Sequence, residues 1–178
     1  MRRNYIDYIE SFLDFPKSGV VFWDFTPLHE SPEVFADAIE DFSDSFKNKK
    51  ITKIVAIEAK GFIIGGALAQ KMYLPLVLIR KPGLTPGEVH SEKFEKEYGF
   101  GEYQIKKGKI ETNDRVLIVY DILAAPGAVV ATRRLVERSG GVAIGAAVVI
   151  ELEYLNARET LNDLEIFSLV KIKQKKLK

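Results

Sequence analysis

Apolar positions along this chain fall into two rhythms. Short, branched, nearly unbroken runs occur at Lys53–Ile57, Leu76–Arg80, Arg115–Ile122, Val142–Leu152 and Ile166–Ile172. A stretch such as Val116-Leu117-Ile118-Val119 suits a strand covered on both faces, the habit of a parallel sheet. Between these runs the period lengthens. Ser31-Pro32-Glu33 reads as an N-cap with proline in the first turn, and behind it Val34, Phe35, Ala38, Ile39, Phe42 and Phe46 share one helical face. Gly61 to Met72 is a glycine- and alanine-rich helix able to pack close to the sheet. A third helix runs from about Ala128 to Arg138 and stops at Ser139-Gly140-Gly141, a glycine C-cap.

Strand and helix in alternation predict one α/β domain over residues 1–178, with a doubly wound, mostly parallel sheet flanked by helices and right-handed crossovers. One stretch breaks the alternation. Residues 81–101 hold Pro82, Gly83, Pro86, Gly87 and Gly99, many charges, and a weak strand signal near Ser91–Tyr98. This reads as a mobile arm or hood loop, a lid or short hairpin, with an irregular loop as the alternative.

Composition narrows the class. Lysine and arginine number 26 against 25 acids, so no global field favours nucleic acid or membrane. The chain has no cysteine, which excludes disulfides, thiolate metal sites and a cysteine nucleophile, and permits a cytoplasmic location. Charge sits where a signal peptide needs its apolar core, and the apolar run Val142–Ile150 is about half of the ~20 residues a membrane helix requires. His29 and His90 stand alone and suggest no protein-held metal. The tail carries five lysines from Lys171 onward; residues 173–178 read as a frayed, solvated end, with contact to RNA or an acidic surface as the minor alternative.

In open parallel sheets ligands sit beyond the carboxyl ends of the strands, so the loops after Ile57, Arg80 and Asp121 are the ones to examine. Tyr120-Asp121 leads through Ile122, Leu123, Ala124, Ala125, Pro126, Gly127 and Ala128 into a helix. Free amides at a helix start favour an anion, and a neighbouring carboxylate can hold sugar hydroxyls or a metal. The plain alternative is a turn with a solvated Asp121. Lys60 beside Gly61 and Phe62 offers a second anion position, or is simply a solvated lysine. Phe15-Pro16-Lys17-Ser18-Gly19-Val20-Val21-Phe22-Trp23-Asp24-Phe25 is unusually aromatic for a loop and could be no more than a cover over the core.

In this order and spacing, however, the pieces resemble the adenine phosphoribosyltransferases of the type I phosphoribosyltransferase family, from about Tyr5 to Ile172. The matching stretches are Asp14–Lys17 with Gly19–Phe22 and Asp24–Leu28; Ile57–Ile63; Arg80–Gly83 with Pro86–Glu88; Glu97-Tyr98-Gly99; and Arg158-Glu159 with Phe167–Leu169. The resemblance implies transfer of phosphoribosyl from phosphoribosyl pyrophosphate to N9 of adenine, giving AMP and pyrophosphate, with Mg2+ accompanying the substrate. It implies a homodimer. It assigns pyrophosphate to Lys60, Gly61, Arg80 and Lys81, the ribose and 5′-phosphate to Asp121, Ala124, Ala125, Gly127 and Ala128, and the purine to Val21, Trp23 and Leu123. Glu97 becomes the general base or proton relay at the base nitrogen, a role that needs a positioned acceptor. Its plain alternative is a solvated residue of the arm.

The departures gather at the ligand. The family's sugar-phosphate motif carries two acids, two apolar residues and Ala-Thr-Gly-Gly-Thr; here the acid pair is Tyr120 and Asp121, and the loop is Ala124-Ala125-Pro126-Gly127-Ala128. Both threonine hydroxyls are gone and Pro126 has no N–H. Three lost donors to a charged group cost ~4–8 kcal/mol before compensation. The family's arginine before Gly61 is Lys60, its lysine after Gly83 is Leu84, and its arginine after Phe22 is Trp23, which can stack on a purine or cover an interface. The expectation is therefore an adenine phosphoribosyltransferase homologue with impaired or lost activity. The alternative is a catalytically silent purine- or AMP-binding paralogue that pairs with an active enzyme.

Overall fold

The computed structural model describes residues 3–95 and 99–174. Its strands are β1 (Glu10–Leu13), β2 (Val21–Asp24), β3 (Lys53–Ile57), β4 (Leu76–Ile79), β5 (Val89–Glu95), β6 (Phe100–Lys106), β7 (Arg115–Leu123), β8 (Val142–Leu152) and β9 (Glu165–Ile172). The helices are α1 (Thr26–Glu30), α2 (Pro32–Phe46), α3 (Gly61–Met72) and α4 (Gly127–Arg138). Five strands form one sheet in the order β4-β3-β7-β8-β9, and every neighbouring pair is parallel. The apolar runs supply this sheet because each strand must be covered twice. One core cluster joins Phe42 and Phe46 of α2, Ile64 and Leu68 of α3, and Leu117, Val119, Ala147 and Val149 of the sheet. The other joins Val129 and Leu135 of α4 to Val116, Ile118, Ala146 and Val148, together with Phe94, Tyr103 and Ile105.

Two antiparallel pairs stand outside the main sheet: β1 with β2, a hood, and β5 with β6, an arm. The arm is a more regular hairpin than the sequence signal suggested, and its second strand continues to Lys106, beyond the expected limit at Gly101. Alternation explains the hidden signal. Phe94, Tyr103 and Ile105 face the second core cluster, while charged residues fill the outward positions between them. Arg80 leaves β4 and forms a single antiparallel bridge to Gln104 of the arm instead. Among the described residues, no helix is long and apolar enough to cross a membrane.

Helix ends follow their local chemistry, with one correction. Gly140 (φ +100) and Gly141 close α4: their amides donate to the carbonyls of Glu137 and Val136, and the positive φ favours glycine. Ser31 holds the N-cap position of α2 but makes no side-chain capping bond; its carbonyl accepts from Phe35 N at 2.9 Å.

At the far end of β8 lies a buried ionic cluster. Glu151 is 2% exposed. Arg158 grips it with Nε and Nη2, Ser168 Oγ donates to it at 2.6 Å, and Arg158 Nη2 also reaches the Ile166 carbonyl at 3.1 Å. Burial pushes the Glu151 carboxyl upward, but the bonds from Arg158 and Ser168 outweigh it and hold the group below its ordinary value. Its folded-state pKa thus lies under the unfolded one. The stabilisation is complete above the unfolded carboxyl range and is lost as pH falls through the lowered value. Arg158→Ala strands a buried charge and should cost about 3 kcal/mol at neutral pH, toward the low end because the guanidinium is itself partly exposed. Urea titrations should also show the variant losing less on acidification than the parent, since protonation then relieves Glu151.

Candidate active site

Strand order reverses between β3 and β7: the chain goes from β3 outward to β4, while β7, β8 and β9 extend the other way. Such a switch point opens a crevice at the carboxyl ends of the two strands. The loop of residues 58–60 leaves β3 on one side and the loop of residues 124–126 leaves β7 on the other. They are held close. A Cβ on Gly61 would lie 3.0 Å from the Val119 carbonyl oxygen of β7, so a side chain there would need the backbone to give by a few tenths of an ångström.

On the β7 side the strand runs two residues past Asp121, to Leu123, because Ile122 and Leu123 keep pairing with Ile150 and Glu151 of β8. The expected strand, Arg115–Ile122, is thus extended by one residue. Asp121 remains near the mouth of the crevice. Burial raises its carboxyl pKa, while the amides of Ile122 and of Asp121 itself and the charge of Lys60 pull it back. Pro126 occupies the N-cap of α4 with φ −72 and ψ −19, already helical. The first helical acceptor is used when Val130 N donates to the Pro126 carbonyl at 2.9 Å, so the amides of Gly127, Ala128 and Val129 lack intrahelical acceptors. Ala124 and Ala125 lead into this turn.

Tyr120 turns to the arm rather than into the crevice. Its hydroxyl pairs with that of Tyr103, and burial pushes both phenols up, Tyr103 to about 12. Tyr103 in turn stacks on Phe94 with ring centroids 4.7 Å apart. Arg134 and Arg138 of α4 clasp Glu92 at 3.2 and 2.7 Å, and Arg138 also donates to the Ser91 carbonyl at 2.8 Å. The arm thereby lies against the start of α4, so closely that a Cβ on Gly127 would sit 2.5 Å from the Glu95 carbonyl oxygen. A hollow of about 440 Å3 between Lys93–Glu95 and Ala125–Gly127 remains beside it.

On the β3 side Lys60 occupies the N-cap of α3. Its Nζ donates to Asp24 Oδ1 at 3.0 Å and stands 4.9 and 5.0 Å from the ring centroids of Phe22 and Phe25. The Phe62 amide donates to the Ala59 carbonyl at 3.1 Å, so it is not the anion donor expected from the sequence. Arg80 is engaged as well: Nη1 donates to the Leu84 carbonyl at 2.7 Å and Nε lies 3.6 Å from Glu58 Oε2. The same Glu58 oxygen accepts the Lys81 amide at 2.9 Å. Glu58 thus holds together Arg80 and the Lys81 amide.

The hood corrects two of the purine assignments. Val21 and Trp23 alternate with Phe22 and Asp24 on β2, and it is the second pair that meets Lys60. Trp23, 7% exposed, belongs with Val21 to the first core cluster. Leu123 is fully buried in the second cluster and presents no surface to a ligand, whereas Ile122 is half-buried on the hood side. Val21, paired with Leu13 across the two-stranded hood, is the half-buried member of the expected purine set. Period-two alternation within β2 separates Phe22 and Asp24 from Val21 and Trp23 but does not say which pair meets Lys60. Glu97 lies outside the described residues. Among the described residues, no three acidic or histidine side chains gather into a metal cage.

A crevice at a switch point, bounded by a helix start, a basic loop and a hood, is the arrangement of a sugar-phosphate-handling α/β enzyme. The chain belongs to the phosphoribosyltransferase family: the model of the phosphoribosyl transferase domain matches residues 25–175. Its similarity is to the adenine-specific members. The adenine phosphoribosyltransferase of Thermosipho melanesiensis is 44% identical over 163 residues, which are 92% of this chain and 93% of that protein. The crystal structure of the Rhodothermus marinus enzyme superposes with a TM-score of 0.89 at 38% identity, covering 94% of this chain and 96% of that one. The Saccharomyces cerevisiae enzyme, solved with adenine and an imino-altritol bisphosphate, gives a TM-score of 0.87 at 34% identity over 93% of this chain and 96% of its own.

The contact of Gly127 with the arm is testable. Gly127→Ala places a methyl against the Glu95 carbonyl and should lift the arm, with an overpacking cost of about 1–3 kcal/mol. Faster hydrogen exchange of the β5 and β6 amides, with the main-sheet amides unchanged, is the expected result.

Proposed function

We propose that this protein makes AMP and pyrophosphate from adenine and phosphoribosyl pyrophosphate, with a weakened hold on the 5′-phosphate. The observation that carries the reading is the convergence of the α4 start, Asp121, Lys60 and the hood on one crevice, in a chain of this family. Amides of Gly127 and Ala128 receive the 5′-phosphate, with Ala124 and Ala125 shaping the approach. Asp121 holds ribose hydroxyls. Lys60, Gly61, Arg80 and Lys81 receive pyrophosphate once their present partners yield. The purine lies along the Val21 backbone, between Phe22 and Ile122, and Glu97 takes the N9 proton as the new bond to ribose forms.

Magnesium chemistry fits this set. The ion needs one or two carboxylates beside substrate phosphates, a requirement Asp121 meets, and when bound it neutralises phosphate charge. Residues 1–178 act as one catalytic unit, and a cytoplasmic location accords with the absence of cysteine.

The weakened hold follows from the missing hydroxyls and the missing N–H at Pro126. Purified protein given adenine, magnesium and phosphoribosyl pyrophosphate should form AMP with a raised KM for the pyrophosphate substrate. The triple change Ala125→Thr, Pro126→Gly, Ala128→Thr should lower that KM by at least about tenfold, from restored bonds of about 1.5–3 kcal/mol each. No AMP from parent or triple variant, with fold verified by circular dichroism, would favour the silent purine- or AMP-binding paralogue instead; calorimetry with AMP then tests that role.

We further infer a homodimer through the edge of the main sheet. β4 is an edge strand whose Leu76 and Leu78 are 39% and 37% exposed, and Ile63, Tyr73 and Leu84 add exposed apolar surface nearby. An uncovered apolar sheet edge is an association surface. Light scattering after size exclusion should give twice the chain mass, and Leu78→Lys should give the single-chain mass.

A further inference from the structure

Lys60 joins two parts of the site that bind different things. It stands at the head of α3, in the loop after β3. Its ammonium, however, is spent on the hood: Asp24 Oδ1 at 3.0 Å and the faces of Phe22 and Phe25 at 4.9 and 5.0 Å. Asp24 is the fixed partner. The same oxygen accepts the Thr26 hydroxyl at 2.8 Å and the Thr26 amide at 3.3 Å, which anchors the carboxylate to the start of α1. Phe25 is fully buried. Lysine is the mobile one, a point charge on a four-carbon stem.

An arginine here could divide its fork between a carboxylate and a phosphate; a lysine ammonium must concentrate on one. Asp24 offers it a single negative charge, at the mouth of a site where both side chains keep some solvent contact, 34% for Lys60 and 21% for Asp24. Pyrophosphate offers several charges at once, so the Coulomb term favours transfer when that group arrives. Transfer would also remove the cation from above Phe22, a ring on the same face of β2 as Asp24.

We propose that Asp24 is a positioning residue that holds Lys60 in reserve, and that pyrophosphate draws the ammonium away and so releases the hood strand to settle on the base. This rests on the transferase reading above, which supplies the two ligands. It makes Asp24 a competitor for Lys60 and links phosphate arrival to the base side of the site.

Calorimetric titration with inorganic pyrophosphate and magnesium tests the competition in four full-length proteins: the parent, Asp24→Asn, Lys60→Met and the double variant. Asp24→Asn should tighten pyrophosphate about fivefold in the parent background, the upper range for a partly exposed pair. In the Lys60→Met background the same change should give less than about twofold, because only the distant charge effect remains. An equal gain in both backgrounds, or none, overturns the proposal. The chain has one tryptophan, Trp23, adjoining Asp24 on β2. Its emission should shift on adding pyrophosphate to the parent and stay unchanged in Lys60→Met; an unresponsive parent overturns the hood release. AMP formation without this coupling sinks the present proposal alone. Coupling without AMP formation sinks the transferase reading alone, and absence of both removes the two together.

Discussion

The reversal of strand order between β3 and β7 is the constraint from which the rest of this site follows. Both strands are buried on both faces, so polar groups have no place along them and are driven to their carboxyl ends. There the two loops face each other across the gap that the reversal creates. The closeness of Gly61 to the Val119 carbonyl keeps that gap narrow, and it is the lack of a Cβ that permits it. Asp121 and Lys60 sense each other's charge for the same reason, although they belong to different crossovers.

Against this fixed frame, the unusual residues act as a set. Tyr120 stands where the family has a carboxylate, and its hydroxyl goes to Tyr103. A carboxylate at this place would have to leave water beside an aromatic, apolar neighbour, with burial working against its charge. The phenol avoids that cost and gives the arm a polar anchor on β7. With Phe94 on Tyr103 and Glu92 held by Arg134 and Arg138, the arm is tied to the sheet and to α4 by independent contacts. Tyrosine at this place therefore adds a fastening for the hairpin that carries Glu97.

Much of the scaffold was readable in the sequence because burial on both faces writes an unmistakable apolar run. The five sheet strands match to within a residue at nearly every end. The arm was harder to read, since its alternation is diluted by Glu92, Lys93 and Glu95 and its apolar residues answer to α4, far away in sequence. The site was legible by segment and not by side chain. Within residues 21–24 and 120–123, Trp23 and Leu123 are buried in the core, Phe22 lies under the Lys60 ammonium, and Ile122 is half-buried against the first core cluster. Which parity of a short strand faces a ligand depends on where the strand is hung, and four residues of β2 do not encode that. Nor can spacing reveal that Lys60, Arg80 and the Lys81 amide have partners within the protein.

Pro126 brings the opposing terms into one place. At φ −72 and ψ −19 its ring simply enters the helix. A proline in a compatible conformation removes unfolded-state freedom and is worth about 0.4–1 kcal/mol. That term favours a preformed turn whose three following amides lack intrahelical acceptors. On the proposed reading, the hydroxyls and the N–H that the resemblance leads one to expect in the same segment would amount to ~4–8 kcal/mol of phosphate contact before compensation. Even doubled, the gain in order does not reach the lower end of that loss. On the proposed reading, the charge and hydrogen bonding for the 5′-phosphate come from the amides of Gly127, Ala128 and Val129, which lack intrahelical acceptors.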